Sequence, residues 1–226
     1  AANRRDLFRY TAGFEGTFAL SDTNVNWELY YVNGETTNKR QTLNDLIPDN
    51  LFAAVDSVID PSTGEAACRS QVASAQGDDY SDPASVNGSD CVAFNPFGQS
   101  SSQEARDFVS ADVTREDVIK QEFIGGVVTF DTAEFVKLQG GAIGLAAGFE
   151  YREESSESIT DEFTKRGFLT SAATPDSYGE YDVTEFFVEV SLPLLAGMDF
   201  AHELTLDAAF RTADYSHAGK AEAWKV

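Results

Sequence analysis

Positive charge is scarce in this chain. Only 16 residues are Lys or Arg, against 38 Asp or Glu, which gives a formal net charge of -22 and a pI near 4.2. That balance excludes a nucleic-acid-binding face and polybasic attachment to anionic lipid. Histidine is limited to His202 and His217, and there is no G-x-S-x-G elbow, so a nucleophile-and-base hydrolase lacks its parts. Both histidines read as solvated polar residues. Long apolar runs are missing too: none approaches the roughly 18 residues of a transmembrane helix. Transmembrane strands escape that test, because they hide their apolar residues at every second position. What the chain does have is 17 Phe and 8 Tyr within 42% hydrophobic residues, the composition of a folded, aromatic-rich chain rather than a disordered acidic tail. Its 226 residues suffice for a sizeable core in one or two domains.

The two cysteines, Cys68 and Cys91, lie in a polar stretch rich in Ser, Gly and Asp, with no second CxxC and no nearby His. A zinc site is therefore not expected. A disulfide is, and closing that loop would stabilise it by roughly 3 kcal/mol in the chain-entropy model. Such a bond belongs to an oxidising compartment. The N-terminal run AANRRDLFRY has no apolar secretion core, so any signal peptide is expected outside this sequence.

The informative pattern is strict alternation over segments longer than ordinary strands. In residues 7–20, Phe8, Tyr10, Phe14, Phe18 and Leu20 fall on one parity, Arg9 and Glu15 on the other. Residues 25–34 set Val25, Trp27, Leu29 and Tyr31 against Asn26, Glu28 and Tyr30. Residues 141–152 set Leu145, Phe149 and Tyr151 against Glu150 and Arg152. Residues 183–195 set Phe186, Val188, Val190, Leu192 and Leu194 against Glu185 and Glu189. Residues 203–213 set Leu204, Leu206 and Phe210 against Glu203, Asp207 and Arg211. Every one of these charges avoids the apolar parity. In residues 118–130 both parities carry apolar residues, so the outward face of that strand is left open. KAEAWKV reads as the start of a seventh strand.

A soluble sandwich alternates as well, so length and connections must decide. These segments reach about ten residues or more, where globular strands average about five to six and a bilayer crossing takes about nine to eleven. The connections alternate short (21–24, 131–140, 196–202) with long (35–115, 153–180), as in outer-membrane barrels with short periplasmic turns and long extracellular loops. That asymmetry sends residues 7–20 down toward the periplasm and places Trp27 near the periplasmic interface, with Phe8, Tyr10, Phe149 and Tyr151 toward the outer girdle. Within loop 35–115, Asp49 or Asn50 is expected to cap a short helix whose apolar face is Phe52, Val55, Val58 and Ile59. A second short helix is expected from Ser102, using Ala105, Phe108 and Val109.

Other motifs carry little chemistry. Glu153 and Glu154 are adjacent on a strand, so they face opposite ways and read as rim charges rather than an acid/base pair. DDYSDPASVNGSD lacks the EF-hand register and offers at most a weak surface ion site. The glycines of GGAIG at 140–144 start a strand rather than a helix, so they narrow the polar strand face instead of cradling phosphate. Asn87-Gly-Ser89 matches a glycosylation sequon by chance. No catalytic residue, metal or cofactor is expected.

GFEGTF followed by VNWELYY, DPSTGEAACR followed by DCVAFNPFG, GGAIGLAAGFEYREE, and VTEFFVEVSLPLLAG followed by HELTLDAAFRTADYS together resemble the barrel of a TonB-dependent outer-membrane receptor, over nearly the whole chain. The resemblance implies an all-β, antiparallel up-and-down transmembrane β-barrel segment, about six or seven strands of a barrel of about 22. It implies a receptor that imports a scarce ligand (iron chelate, cobalamin or oligosaccharide) with energy from the inner-membrane TonB complex. Its plug, TonB box and remaining strands are not among these residues, so the chain is expected to be a fragment. The implied partners are outer-membrane lipid and lipopolysaccharide, the receptor's own plug, TonB and a small-molecule ligand.

The charges Arg9, Glu15, Glu28, Glu150, Arg152, Glu185, Glu189, Asp207 and Arg211 are then lumen-facing candidates, pairing with a plug or lining the path, or simply solvating the wall. Residues 35–117 hold 15 acids and five bases, and 153–180 seven acids and two bases. Such loops disfavour anionic ligands and suit divalent-cation bridging to lipopolysaccharide. Two other classes remain: a secreted, soluble β-sandwich or lectin-like binding module with a dry core, and a passive porin-type barrel.

Overall fold

The computed structural model describes residues 2–77, 90–98 and 100–226. The DDYSDPASVNGSD stretch, but for its last residue, and the sequon at Asn87 lie outside them. In chain order the elements are β1 (Ala2–Leu20), β2 (Thr23–Leu46), α1 (Pro48–Val55), β3 (Ser57–Ile59), β4 (Ala66–Cys68), α2 (Gln103–Val109), β5 (Ser110–Asp131), β6 (Lys137–Leu138), β7 (Gly141–Ala142), β8 (Gly144–Thr160), α3 (Glu162–Arg166), β9 (Ser177–Met198), β10 (Ala201–Tyr215) and β11 (Gly219–Lys225). Seven of them form one large antiparallel sheet in the order β1-β2-β5-β8-β9-β10-β11. Each long strand lies beside the long strand before it, the arrangement of an up-and-down meander. The fold is all-β, with three short α-helices and two 3-10 turns among the described residues. Among the described residues no helix is long and apolar enough to cross a membrane, which says nothing of crossing by strands.

The strands outrun their alternation. β2 continues to Leu46 and β5 begins at Ser110, so the loop expected at 35–115 narrows to 47–109. The loop expected at 153–180 narrows likewise to 161–176, between β8 and β9. The reason lies in residues such as Glu35, Thr36, Thr37, Asn38, Lys39 and Arg40: both faces are polar there, so no period-2 signal survives. Cross-strand charge pairs take its place. Lys39 meets Glu116 at 3.0 Å and Arg40 meets Asp117 at 3.1 Å, while the Asn44 amide donates to Asp112 at 2.9 Å.

The chain divides into two compact units. One comprises Ala1–Arg5, Asn38–Asp117 and Ser158–Ser177; the other comprises Asp6–Thr37, Val118–Glu157 and Tyr178–Val226. In the first, Ala53, Ala54, Cys68, Cys91 and Val109 form a small core packed by Leu51, Phe94 and Phe108. Cys68 and Cys91 are joined in a disulfide with their Cα atoms 6.2 Å apart. A second cluster gathers Ile47, Val113 and Leu169.

Helix α1 corrects the expectation drawn for it. Its N-cap is Ile47, followed by Pro48 with its pre-set φ, so Asp49 sits inside the first turn. The buried residues are Asn50, Ala53 and Ala54, whereas Phe52 is 61% exposed. Two alanines let the helix backbone approach the disulfide closely, and Val58 and Ile59 belong to β3 rather than the helix. Helix α2 follows its expectation: the Ser102 hydroxyl accepts from the Ala105 amide at 3.1 Å, and Ala105 and Val109 are buried.

In the second unit β9 and β10 pair antiparallel, with Val188 opposite Phe210, Leu192 opposite Leu206 and Glu189 opposite Ala209. The register shifts between Leu204 and Thr205, so Leu204 faces Leu195 and Leu194 is skipped. Beyond β10, Phe210 lies opposite Trp224 and Arg211 opposite Ala223 of β11. Gly140 has a role in this framework that its sequence context does not reveal. Its amide donates to the Pro193 carbonyl at 3.1 Å, and a Cβ there would come within 2.4 Å of that oxygen. Close backbone docking accounts for this glycine.

Candidate functional site

The second unit carries two chemically distinct faces. β5 settles its own orientation. The Tyr31 hydroxyl donates to Glu122 at 3.0 Å, and a Cβ on Gly126 would touch Phe149 and Leu29, so the even positions of β5 share the apolar face. Gln121 donates to Glu154 at 2.8 Å and the Phe123 ring stacks on Tyr30 at 5.4 Å, so the odd positions share the polar face. Phe14 is 68%, Phe186 57% and Trp224 79% exposed; the apolar face has no cover within the described residues of its own unit. Toward one end of that face tyrosines meet acids: Tyr10 lies 3.5 Å from Tyr31, and Tyr151 donates to Glu153 at 3.1 Å.

The polar face gathers the expected charges into groups. Arg211 bridges Glu150, at very short range, and Glu185, at 2.6 Å. The Tyr30 hydroxyl donates to the second Glu150 oxygen at 3.2 Å, and the Arg211 guanidinium lies 5.8 Å above the Phe187 ring. Arg152 stands 3.6 Å from Glu154. Glu189 and Asp207 line an open hollow of 620 Å³ with Asn24, Asn26, Thr129 and Asp131. Glu15 and Glu28 line another of 410 Å³ with Thr17 and Val127. Arg9 joins neither group; its side chain runs beside Gly34 of β2. Glu154 accepts from Gln121 and Tyr181 while Glu153 accepts from Tyr151, so the two adjacent carboxylates face opposite ways.

Aromatic rings laid flat over glycines were not legible in the strand pattern. A Cβ on Gly125 would stand 2.7 Å from the Tyr30 ring, and one on Gly148 would stand 2.4 Å from the Phe187 ring. On the apolar face Trp27 covers Gly16 in the same way. Each glycine lies on a neighbouring strand, and its missing side chain makes room for the ring. The available signal was an aromatic on the polar parity (Tyr30, Phe187) accompanied by glycines of the same parity one strand away.

A third charged group lies in the first unit. Asp117 accepts from Arg115 at 2.8 Å, Ser158 at 2.8 Å and Arg40 at 3.1 Å. Burial opposes its ionisation, but the hydrogen bonds from Arg115, Ser158 and Arg40 outweigh that and hold the carboxyl down to about 2. In the loop at 161–176, Lys165 pairs with Asp176 at 2.7 Å; this bond, helped by the Thr160 amide, lowers the Asp176 pKa. These groups satisfy one another and read as structural.

Comparison with protein-family models, with characterised proteins and with solved structures returns no match.

Proposed function

We propose that this chain forms part of the wall of an outer-membrane transporter of the TonB-dependent kind, importing a scarce ligand with energy relayed from the inner membrane. The observation that carries this reading is the one-sidedness of the second unit. Phe, Leu, Val and Trp crowd one face without cover among the described residues of that unit, while Glu150, Glu185, Arg211, Glu189 and Asp207 share the other. Leaving a Phe or Leu side chain in water forgoes about 1.5–3 kcal/mol relative to burial, and lipid tails would supply that burial on every strand at once. The main strands before β11 run 15 to 24 residues, beyond the roughly nine to eleven that span a bilayer; the excess suits projection past the outer surface. Tyrosines beside acids at one end of the apolar face suit a membrane interface.

The soluble-sandwich reading would require a second sheet over the apolar face, and among the described residues the other two sheets are two-stranded hairpins of two or three residues a strand. A seven-stranded sheet in lipid would leave backbone groups unpaired at both edges, so closure needs further strands from the same protein. Fractionation of cells producing the whole protein tests the reading. Recovery in the outer membrane with release only by detergent is expected; a monomer soluble in water without detergent would refute it. Sequence upstream separates the transporter from a passive porin: a plug domain is expected there, and a barrel without one would favour the porin.

A further inference from the structure

At one end of the polar face, β5, β8, β9 and β10 enclose an open hollow of 540 Å³ whose lining includes Ile119, Glu154, Gly179, Tyr181, Tyr215 and His217. Its shape follows from side-chain size. Gly179 has nothing within 4 Å of where a Cβ would stand, so β9 contributes an empty floor. Tyr181 and Tyr215 contribute aromatic side chains to the lining, and Ile119 an aliphatic one. Small-molecule sites are of this kind: concave, mostly apolar and marked by a few placed polar groups.

Charge decides what the hollow can take. Glu154 is part of its wall, and its carboxylate accepts hydrogen bonds from Tyr181 at 2.7 Å and Gln121 at 2.8 Å. Arg152, the nearby base, stands 3.6 Å away, and its Nε makes no hydrogen bond. The His217 Nε2 is engaged with the Glu180 carbonyl oxygen at 2.9 Å, which fixes the ring at the rim. The whole chain carries a formal net charge of -22, a field that attracts cations and repels anions. Tyrosine faces add attraction for a positive charge, of the order of 0.5–2 kcal/mol each when desolvated.

We propose that this hollow is a subsite for a hydrophobic organic cation, its apolar ring lying over Gly179 between Ile119 and Tyr215 and its positive group against Glu154 and the tyrosine faces. The proposal deepens the transporter reading and rests on it, because it places the subsite on the lumenal wall; the binding chemistry itself is local.

The test is equilibrium dialysis of the whole protein in detergent with three probes of similar size: benzyltrimethylammonium, benzyl alcohol and phenylacetate. Benzyltrimethylammonium is expected to bind at least about fivefold more tightly than phenylacetate, with benzyl alcohol between. Gly179→Leu should fill the floor and weaken the cation at least about tenfold, and Glu154→Gln should erase most of the preference for cation over neutral probe. Equal affinity for all three probes, or undiminished binding in Gly179→Leu, would overturn the subsite; detergent-resistant folding, followed by the gel shift on heating, certifies each variant. Outer-membrane recovery without cation preference would sink the subsite alone, whereas a water-soluble protein that binds the cation would sink the transporter reading alone.

Discussion

At the scale of single residues, the two faces make opposite demands on a charge. Val188 and Leu206 point with the apolar face, whereas Ser191 lines the polar hollow and Thr205 follows the parity of Asp207. On the proposed reading, Val188→Arg or Leu206→Arg should lower the unfolding free energy of the whole protein by about 2–4 kcal/mol in lipid. Ser191→Arg or Thr205→Arg should cost much less, and equal costs at the two kinds of site would refute the face assignment. Glycine gives a second residue-level expectation. Gly148→Val would drive a side chain into Phe187 and the Gly126 carbonyl and should cost about 1–3 kcal/mol as overpacking. Gly179→Ala meets open space and should stay within about 0.5 kcal/mol; denaturant titration in detergent reads both. The charges of the polar face were legible because parity alone assigns a face. Their partners were not: that Arg211 reaches Glu150 across β9 depends on strand order and register, which no local pattern encodes.

At the scale of elements, alternation located the strands wherever one face is apolar and lost them where both are polar. β2 past Glu35 and β5 before Val118 have no period to read; charge pairs such as Lys39–Glu116 hold them together instead. This predicts an acid sensitivity confined to that stretch. Asp117 is depressed to about 2 from 3.8, so the stability it contributes is fully present above 3.8 and is lost as pH falls through about 2. Thermal unfolding between pH 5 and 2 should show this loss in the native protein and a flatter profile in Asp117→Asn. A profile unchanged by the substitution would contradict the assignment of the loss to Asp117. The loop helices illustrate a different limit. Helix α2 announced itself through a Ser cap and a three-residue apolar stripe, but α1 buries two alanines rather than its larger apolar residues. Volume does not predict the buried face where a helix must approach a disulfide closely. Reduction of Cys68–Cys91 should cost roughly 3 kcal/mol in the chain-entropy model and accelerate amide exchange around Ala53, Ala54 and Val109, leaving the β9–β10 ladder protected. Uniform acceleration over both would show that the bond supports more than its own small core.

At the scale of the whole molecule, the all-β class and the meander were legible because the apolar parity recurs on successive ribbons with short turns between some of them. What lies against the apolar face was not, since a lipid bilayer and a second sheet impose the same alternation. Strand length and the uncovered Phe, Leu and Trp side chains of the second unit favour lipid. Collision accessibility decides between them most directly. Nitroxide labels would be placed singly at Val188→Cys and Glu189→Cys in the whole protein, reconstituted in vesicles. With lipid against the apolar face, the label at 188 should be relaxed mainly by oxygen dissolved in hydrocarbon and its neighbour at 189 mainly by a water-soluble nickel complex. A label at 188 shielded from both reagents would place that face inside a protein core and contradict the account.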